Sequence, residues 1–270
     1  MPEGDTVYRA ARLLDTRLSG ETLLHADLRV PQHATADLVG AAVSQTVPRG
    51  KHLLTRLVRG DERWTLHTHL KMEGLWRVFD DGHRWSRPAH TARVVLRVAG
   101  REAVGFSLGV VELLSTADEE SVVGHLGPDL LGADWDPDEA RRRLLVTPER
   151  PVYEAILDQR NLAGIGNVYA SELLFLGGLH PTTPVGAVTA LPRLVARAHQ
   201  ALEVNKDRRT RTTTGDTRNP LWVYGRDGAP CRRCRTRIQQ AKRGPAGRER
   251  TSYWCPHCQP APPGAVSVKG

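Results

Sequence analysis

The feature that most constrains this chain is its cysteine spacing. The 270-residue sequence has four cysteines, Cys231, Cys234, Cys255 and Cys258, arranged as CRRC and CPHC with twenty residues between the pairs. Two C-x2-C knuckles carried on a strand-loop-strand can aim four thiolates at one tetrahedral ion, which is the zinc-ribbon arrangement. Four thiolates leave no open position for water, so the expected ion is a single structural Zn2+, and its binding would fold a hairpin too small to fold alone. His257, inside the second knuckle, could substitute for a ligand but is expected to stay free of the ion.

Charge is concentrated in the same region. The whole chain carries +8, whereas the stretch from Asn205 to Gln259 holds 14 Lys+Arg against 4 Asp+Glu, a net of +10 that leaves 8 − 10 = −2 for the rest. Such crowding suits a polyanion, because each phosphate neutralised releases a condensed counterion. The preference for arginine over lysine, 33 against 5, is ordinary coding bias and does not account for the crowding. Between the cysteine pairs, Arg235, Arg237, Lys242, Arg243, Arg248 and Arg250 face only Glu249, so the hairpin is expected to meet phosphate; a solvated basic loop is the alternative.

Periodicity divides the chain in two. Val7, Ala10, Ala11, Leu14 and Leu18 recur at helical spacing behind Asp5 or Thr6 as a cap, which predicts an N-terminal helix. From Leu23 to about Leu114 the segments HLLTRLV, WTLHTHL, LWRVF and ARVVLRV are short, rich in β-branched and aromatic residues, and divided by Gly, Asp and Pro; they predict an all-β sandwich or barrel. After GPDLLGADWDPDE, which reads as a linker, helices are expected from Pro137 with Asp136 as cap, over YEAILDQ, over NVYASELLFLG, and from Thr189 to Val204. RTRTTTGDTRNP is expected to be a mobile loop and the tail from Pro260 to be disordered. The predicted fold class is therefore α+β with two domains: an N-terminal β-sandwich with its helix over 1–125, a linker over 126–136, a helical domain over 137–222, a zinc ribbon over 223–259 and a tail over 260–270. No apolar run reaches 18 residues and no secretory signal opens the chain, so a soluble, intracellular (cytoplasmic) protein without membrane contact is expected.

Three further features carry chemistry. Gly164 and Gly166 precede a helix beginning near Asn167, and such a turn can present backbone amides to a phosphate, although most merely reverse the chain. Removal of the initiator Met would expose Pro2, a secondary amine whose pKa lies far below that of lysine and which can form an iminium with an aldehyde carbon. Glu3 beside it could move protons, and Lys51 could supply positive charge or a proton.

Taken in order, MPEG, RGKHLL, HTHLKMEGLWRV, GPDLL, LAGIGNVYASELLF, VYGRDGAPCRRC and RTSYWCPHC resemble the formamidopyrimidine-DNA glycosylase and endonuclease VIII family along nearly the whole chain. The resemblance implies a helix-two-turn-helix in the helical domain and a lesion nucleotide flipped out of the duplex. It implies Pro2 as the nucleophile at the deoxyribose C1', Glu3 as the acid-base residue, and Lys51, Asn167 and Arg250 as phosphate contacts, Arg250 and Lys51 also serving catalysis. It places Met72, with flanking Lys71 and Glu73, in the loop that fills the gap left in the duplex. The implied reaction is base displacement through a Schiff base followed by β- and δ-elimination, on damaged double-stranded DNA and potentially single-stranded or bubble DNA, by a monomer that needs no catalytic metal. Thr6 stands where the family has a glutamate, and GFSLGVVELL lacks the Arg and Phe that purine-directed members insert opposite the lesion. Oxidised pyrimidines are therefore the expected substrates, with oxidised purines and a non-catalytic DNA-binding protein as the alternatives.

Overall fold

A computed structural model describes residues 2–247 and 249–262. The chain forms two compact units, one ending at His125 and the other beginning at Leu126. In the first, helix α1 (Gly4–Leu18) buries Val7, Ala11, Leu14 and Leu18, spaced by four, three and four, each at most 1% exposed. The helix starts earlier than its sequence suggests. Glu3 rather than Asp5 or Thr6 occupies the cap position, and it accepts the Thr6 and Val7 amides through its backbone carbonyl rather than its side chain.

Eight strands follow: β1 (His25–Leu28), β2 (Ala42–Arg49), β3 (His52–Arg59), β4 (Glu62–His69), β5 (Leu75–Asp80), β6 (Ala92–Val98), β7 (Arg101–Phe106) and β8 (Val110–Ser115). They build two antiparallel four-stranded sheets, ordered β2-β3-β4-β8 and β1-β6-β7-β5. Val43, Leu53, Leu57 and Leu66 of the first sheet share one buried core with Trp76, Val94, Leu96 and Ala103 of the second and with the apolar face of α1. This is the β-sandwich expected from the short alternating segments, since period-2 burial gives each sheet one dry face. A short helix, α2 (Glu119–Val123), closes the unit.

The second unit carries α3 (Pro137–Leu144), α4 (Val152–Leu157), α5 (Asn167–Gly177), α6 (Leu191–Asn205) and a hairpin of β9 (Gln239–Arg243) and β10 (Arg250–Trp254). Asp136 caps α3 as its position before Pro137 predicts, its Oδ1 accepting the Asp138 and Glu139 amides at 2.9 and 3.0 Å. Every residue of α5 from Asn167 to Phe175 is buried, and Gly178 at φ +66° ends the helix in the left-handed conformation that glycine adopts without a Cβ clash. The segment 126–136 lies within this unit: Leu130 is fully buried in its core and Asp129 bridges to Ala163. Among the described residues no helix is long and apolar enough to cross a membrane.

The loop after α6 is better tied than its composition suggests. Asn205 exchanges hydrogen bonds with the Thr212 backbone, Thr214 Oγ1 donates to Asn219 O at 2.7 Å, and Asp216 accepts from the Arg218 amide and the Asn219 carboxamide. The Thr, Asp and Asn side chains that deprive the segment of a hydrophobic core bind its own backbone instead. The mobile loop expected from composition is therefore an ordered, cross-tied one. Residues 263–270 of the expected disordered tail, and Arg248, lie outside the described residues.

Candidate active site and metal centre

In the first unit, Pro2 is partly exposed at the start of α1, while Glu3 and Asp5 are fully buried behind it. Asp5 Oδ1 accepts the Thr6 amide at 2.8 Å and the Thr6 hydroxyl at 3.2 Å, and Arg9 reaches both Asp5 (3.7 Å) and Thr6 Oγ1 (3.4 Å). The carboxylate missing at position 6 thus has a neighbour at position 5, pinned by an arginine one turn on. Lys51 occupies the turn between β2 and β3, and Lys71, Met72 and Glu73 the turn between β4 and β5, all three exposed, Met72 at 60%. Lys71 adopts φ +51°, and His69 Nδ1 accepts its amide at 2.9 Å. Gly109 makes room for its stem: a Cβ there would stand 2.1 Å from Lys71 Cγ.

A histidine cluster joins these two lysine-bearing turns, and the residue-by-residue reading of the sequence missed it. His52 pairs with His69 across the β3–β4 ladder, and His67 lies two residues before His69 on the same face. Glu112 Oε2 lies 2.8 Å from His67 Nδ1, and His67 Nε2 lies 2.8 Å from His52 Nδ1. An ionised carboxylate accepts only, so His67 carries a proton on Nδ1, and one further proton lies in the contact between His67 Nε2 and His52 Nδ1. His69, whose Nδ1 accepts from Lys71, carries its own proton on Nε2. Burial, followed by the neighbouring imidazoles and Lys71, lowers His52 to about 3; burial, followed by Lys71 and Lys51, lowers His69 to about 3. Both rings are neutral at physiological pH. The alternation HTH opposite His52 was the available signal.

In the second unit, Asn167 is the first residue of α5 and is 5% exposed. Its Nδ2 donates to Thr251 O at 2.9 Å, and Tyr153 donates to its Oδ1 in a short hydrogen bond. That brings Asn167 to the strand residue adjoining Arg250, which is exposed. Glu172, fully buried on α5, accepts the amides of Trp222, Val223 and Tyr224 at 2.8 to 2.9 Å and the Thr213 hydroxyl, fastening the entry to the cysteine region onto the helix.

The four cysteine Sγ atoms lie within 4.8 Å of one another, and His257 stands outside the set. Cys234 and Cys255 are 3.4 Å apart and Cys234 and Cys258 3.5 Å, close to the edge of a tetrahedron of thiolates about one ion, roughly 3.8 Å for metal–sulfur bonds of about 2.3 Å. Backbone amides of Arg233 and Cys258 point at Cys231 and Cys255 sulfur. The donor set fits a metal ion. Several basic residues expected to face phosphate are committed within the ribbon: Arg237 donates to Gly228 O, Arg232 to Leu221 O, Arg243 to Ser252 Oγ while stacking on Trp254, and Arg233 lies over Phe175 and Trp222.

Comparison with known proteins agrees over the whole length. Residues 1–107 match the formamidopyrimidine-DNA glycosylase N-terminal domain and residues 126–206 the formamidopyrimidine-DNA glycosylase H2TH domain. The chain is 52% identical to a probable endonuclease 8 2 of Streptomyces coelicolor, covering 100% of this chain and 99% of the relative. It is 49% identical to the DNA-(apurinic or apyrimidinic site) lyase Nei2 of Mycolicibacterium smegmatis, covering 97% and 100%. Among solved structures it resembles the Lactococcus lactis Fpg in complex with DNA containing an abasic site, with TM-score 0.77 and 25% identity over 96% of this chain and 100% of that one. Its sandwich, its helices, its cysteine cluster and these relatives place the chain in the formamidopyrimidine-DNA glycosylase and endonuclease 8 family, on the endonuclease 8 branch.

Proposed function

We propose that this chain is a bifunctional DNA glycosylase and abasic-site lyase of base-excision repair that removes oxidised pyrimidines from duplex DNA. The observation that carries the reading is the pairing of a partly exposed Pro2 with a fully buried Glu3 at the start of α1, in a chain matching a named abasic-site lyase end to end. The activity named for that relative is extended to this chain on those two residues.

With Met1 removed, the Pro2 nitrogen bonds to C1' of the flipped nucleotide as the C1'–base bond breaks and the base departs with a proton. Ring opening gives an iminium at C1', with Glu3 delivering the proton taken up by the sugar oxygen. The iminium acidifies the C2' hydrogen; its loss expels the 3' phosphate, and a second elimination expels the 5' phosphate. Lys51 holds phosphate near the lesion, Asn167 and Arg250 hold the flanking backbone, and Met72 with Lys71 and Glu73 occupies the vacated stack. Cys231, Cys234, Cys255 and Cys258 hold one Zn2+ whose contribution is structural. The enzyme works as a monomer inside the cell, where its DNA is.

Borohydride trapping tests the chemistry. Wild-type protein is expected to form a covalent adduct with duplexes bearing an abasic site or 5-hydroxyuracil, and Pro2→Gly to form none. Protein that binds these duplexes without trapping contradicts an enzyme. A lesion panel in which 8-oxoguanine is cut faster than thymine glycol and 5-hydroxyuracil contradicts the pyrimidine assignment.

A further inference from the structure

Asn167 is held at both ends of its carboxamide. Tyr153, fully buried on α4, donates its hydroxyl proton to Oδ1, and Nδ2 donates one of its two protons to Thr251 O at 2.9 Å. Rotating the amide by half a turn would set Oδ1 against the Thr251 carbonyl, acceptor against acceptor, and would leave Tyr153 facing an NH2 group. The orientation is therefore defined by partners, and one N–H of Nδ2 remains for a ligand. Burial pushes the Tyr153 hydroxyl above the ordinary phenol range, so it stays a donor throughout the working pH range. Thr251 follows Arg250 in β10, and Arg250 lies near enough to Tyr153 to act on its ionisation. One buried hydroxyl thus stands behind the asparagine, whose other partner, Thr251, adjoins the arginine in β10.

We propose that Tyr153 is a positioning residue for DNA: its hydroxyl fixes the Asn167 carboxamide so that the remaining Nδ2 proton is offered to a phosphate in register with Arg250. The inference rests on the reading of Asn167 as a phosphate contact. Nothing in the chemistry calls for Tyr153, and its ring alone satisfies the packing of α4 on α5. The hydroxyl is the part with a role, because it settles which end of the amide faces outward. Without it Oδ1 lacks its donor, the carboxamide rotates about its last torsion, and an acceptor faces the phosphate for part of the time.

The test is binding of the full-length, metal-loaded protein to a duplex carrying a tetrahydrofuran abasic analogue, which cannot be cleaved, over a series of KCl concentrations. Asn167→Ala is expected to weaken binding about tenfold across the salt series, the worth of one hydrogen bond to a charged group, and to leave the log K against log salt slope near wild type, because a neutral carboxamide releases no counterion. Tyr153→Phe is expected to weaken binding in the same direction, and the double variant to be no weaker than Asn167→Ala. On a cleavable abasic duplex, Tyr153→Phe should raise KM and leave kcat near wild type. A Tyr153→Phe affinity equal to wild type while Asn167→Ala is weakened overturns the inference and leaves the phosphate contact standing, as do strictly additive losses in the double variant. An Asn167→Ala affinity equal to wild type overturns the contact itself. Should Tyr153→Phe fail to fold, the wild-type protein decides: NMR order parameters of the free protein should show the Asn167 carboxamide as rigid as the surrounding backbone, about 0.85, and a freely rotating carboxamide contradicts the proposal.

Discussion

The histidine cluster makes the first unit acid-sensitive in a way that can be worked out in advance. His52 and His69 are held at about 3, below the value of about 6.5 that each regains on unfolding. Below pH 6.5 the unfolded chain therefore binds more protons than the folded one, and stability falls as the pH falls. The contribution is fully present above 6.5 and is lost between 6.5 and 3. Between pH 7.5 and 5.5 the linkage integral is about 1.4 kcal/mol for each ring and about 2.7 kcal/mol for the pair. The groups that face these rings are Lys51 from the β2–β3 turn, His67 from β4, Lys71 from the following turn, Glu112 from β8 and His125 after α2. The assay is native-state hydrogen exchange of the most protected β3 and β4 amides, which reads the opening free energy of this unit without requiring the whole chain to unfold in one step. Wild type should lose about 2.7 kcal/mol more than a His52→Gln/His69→Gln variant over that pH change. Equal losses in the two proteins would show that the rings are solvated and their burial irrelevant.

Three other perturbations separate the parts of the molecule. Gly109→Ala places a Cβ 2.1 Å from Lys71 Cγ, so it should shift the Lys71–Glu73 turn and weaken binding to a lesion duplex several-fold; fluorescence anisotropy with unchanged affinity would remove Gly109 from that role. Glu172→Gln sets an NH2 group against backbone donors that the carboxylate satisfies, and should cost about 2–4 kcal/mol in urea unfolding of the second unit. Elemental analysis should find one zinc per chain. Chelation should abolish lesion-duplex binding while borohydride still couples the metal-free protein to 2-deoxyribose 5-phosphate through Pro2, and loss of that coupling would tie the metal to the nucleophile.

What the sequence discloses is sorted by the range of the interaction. Helix α1, the capped start of α3 and the sandwich strands are legible because their signals repeat within one element: Val7, Ala11, Leu14 and Leu18 on one face, Asp136 before Pro137, HLLTRLV and ARVVLRV as short apolar runs. The cysteine site is legible because C-x2-C is a local geometry used twice. Pairings made across elements are not. Glu112, His67 and His52 lie on three neighbouring strands, and only the register of β3, β4 and β8 brings them into line. Tyr153 belongs to an apolar stripe of α4, where nothing local distinguishes a core tyrosine from one whose hydroxyl holds an asparagine. The start of α1 is misread for the same reason: Asp5 looks like a cap, but its carboxylate is turned to Thr6 and Arg9.

The basic surplus shows how a correct composition argument can still overcount. A net of +10 between Asn205 and Gln259 reads as a surface for phosphate, yet Arg226, Arg232 and Arg237 donate to backbone carbonyls, and Arg233 and Arg243 stack on aromatic rings. A ribbon whose strands are only five residues long has little apolar surface to bury. Guanidinium groups that cap carbonyls and cover Trp222, Trp254 and Phe175 supply some of the order that a larger core would provide. Their charge still adds to the long-range field that draws DNA, while part of each guanidinium is committed to a carbonyl, a hydroxyl or an aromatic ring, so they set attraction more than register. On the proposed reading, register falls to Arg250, which is exposed and stands next to Thr251, whose carbonyl is bound by Asn167. Positive charge in this region therefore performs two tasks, holding the ribbon together and meeting the backbone of DNA, and Arg250→Ala should flatten the log K against log salt slope by about 0.9 for the one phosphate it would neutralise.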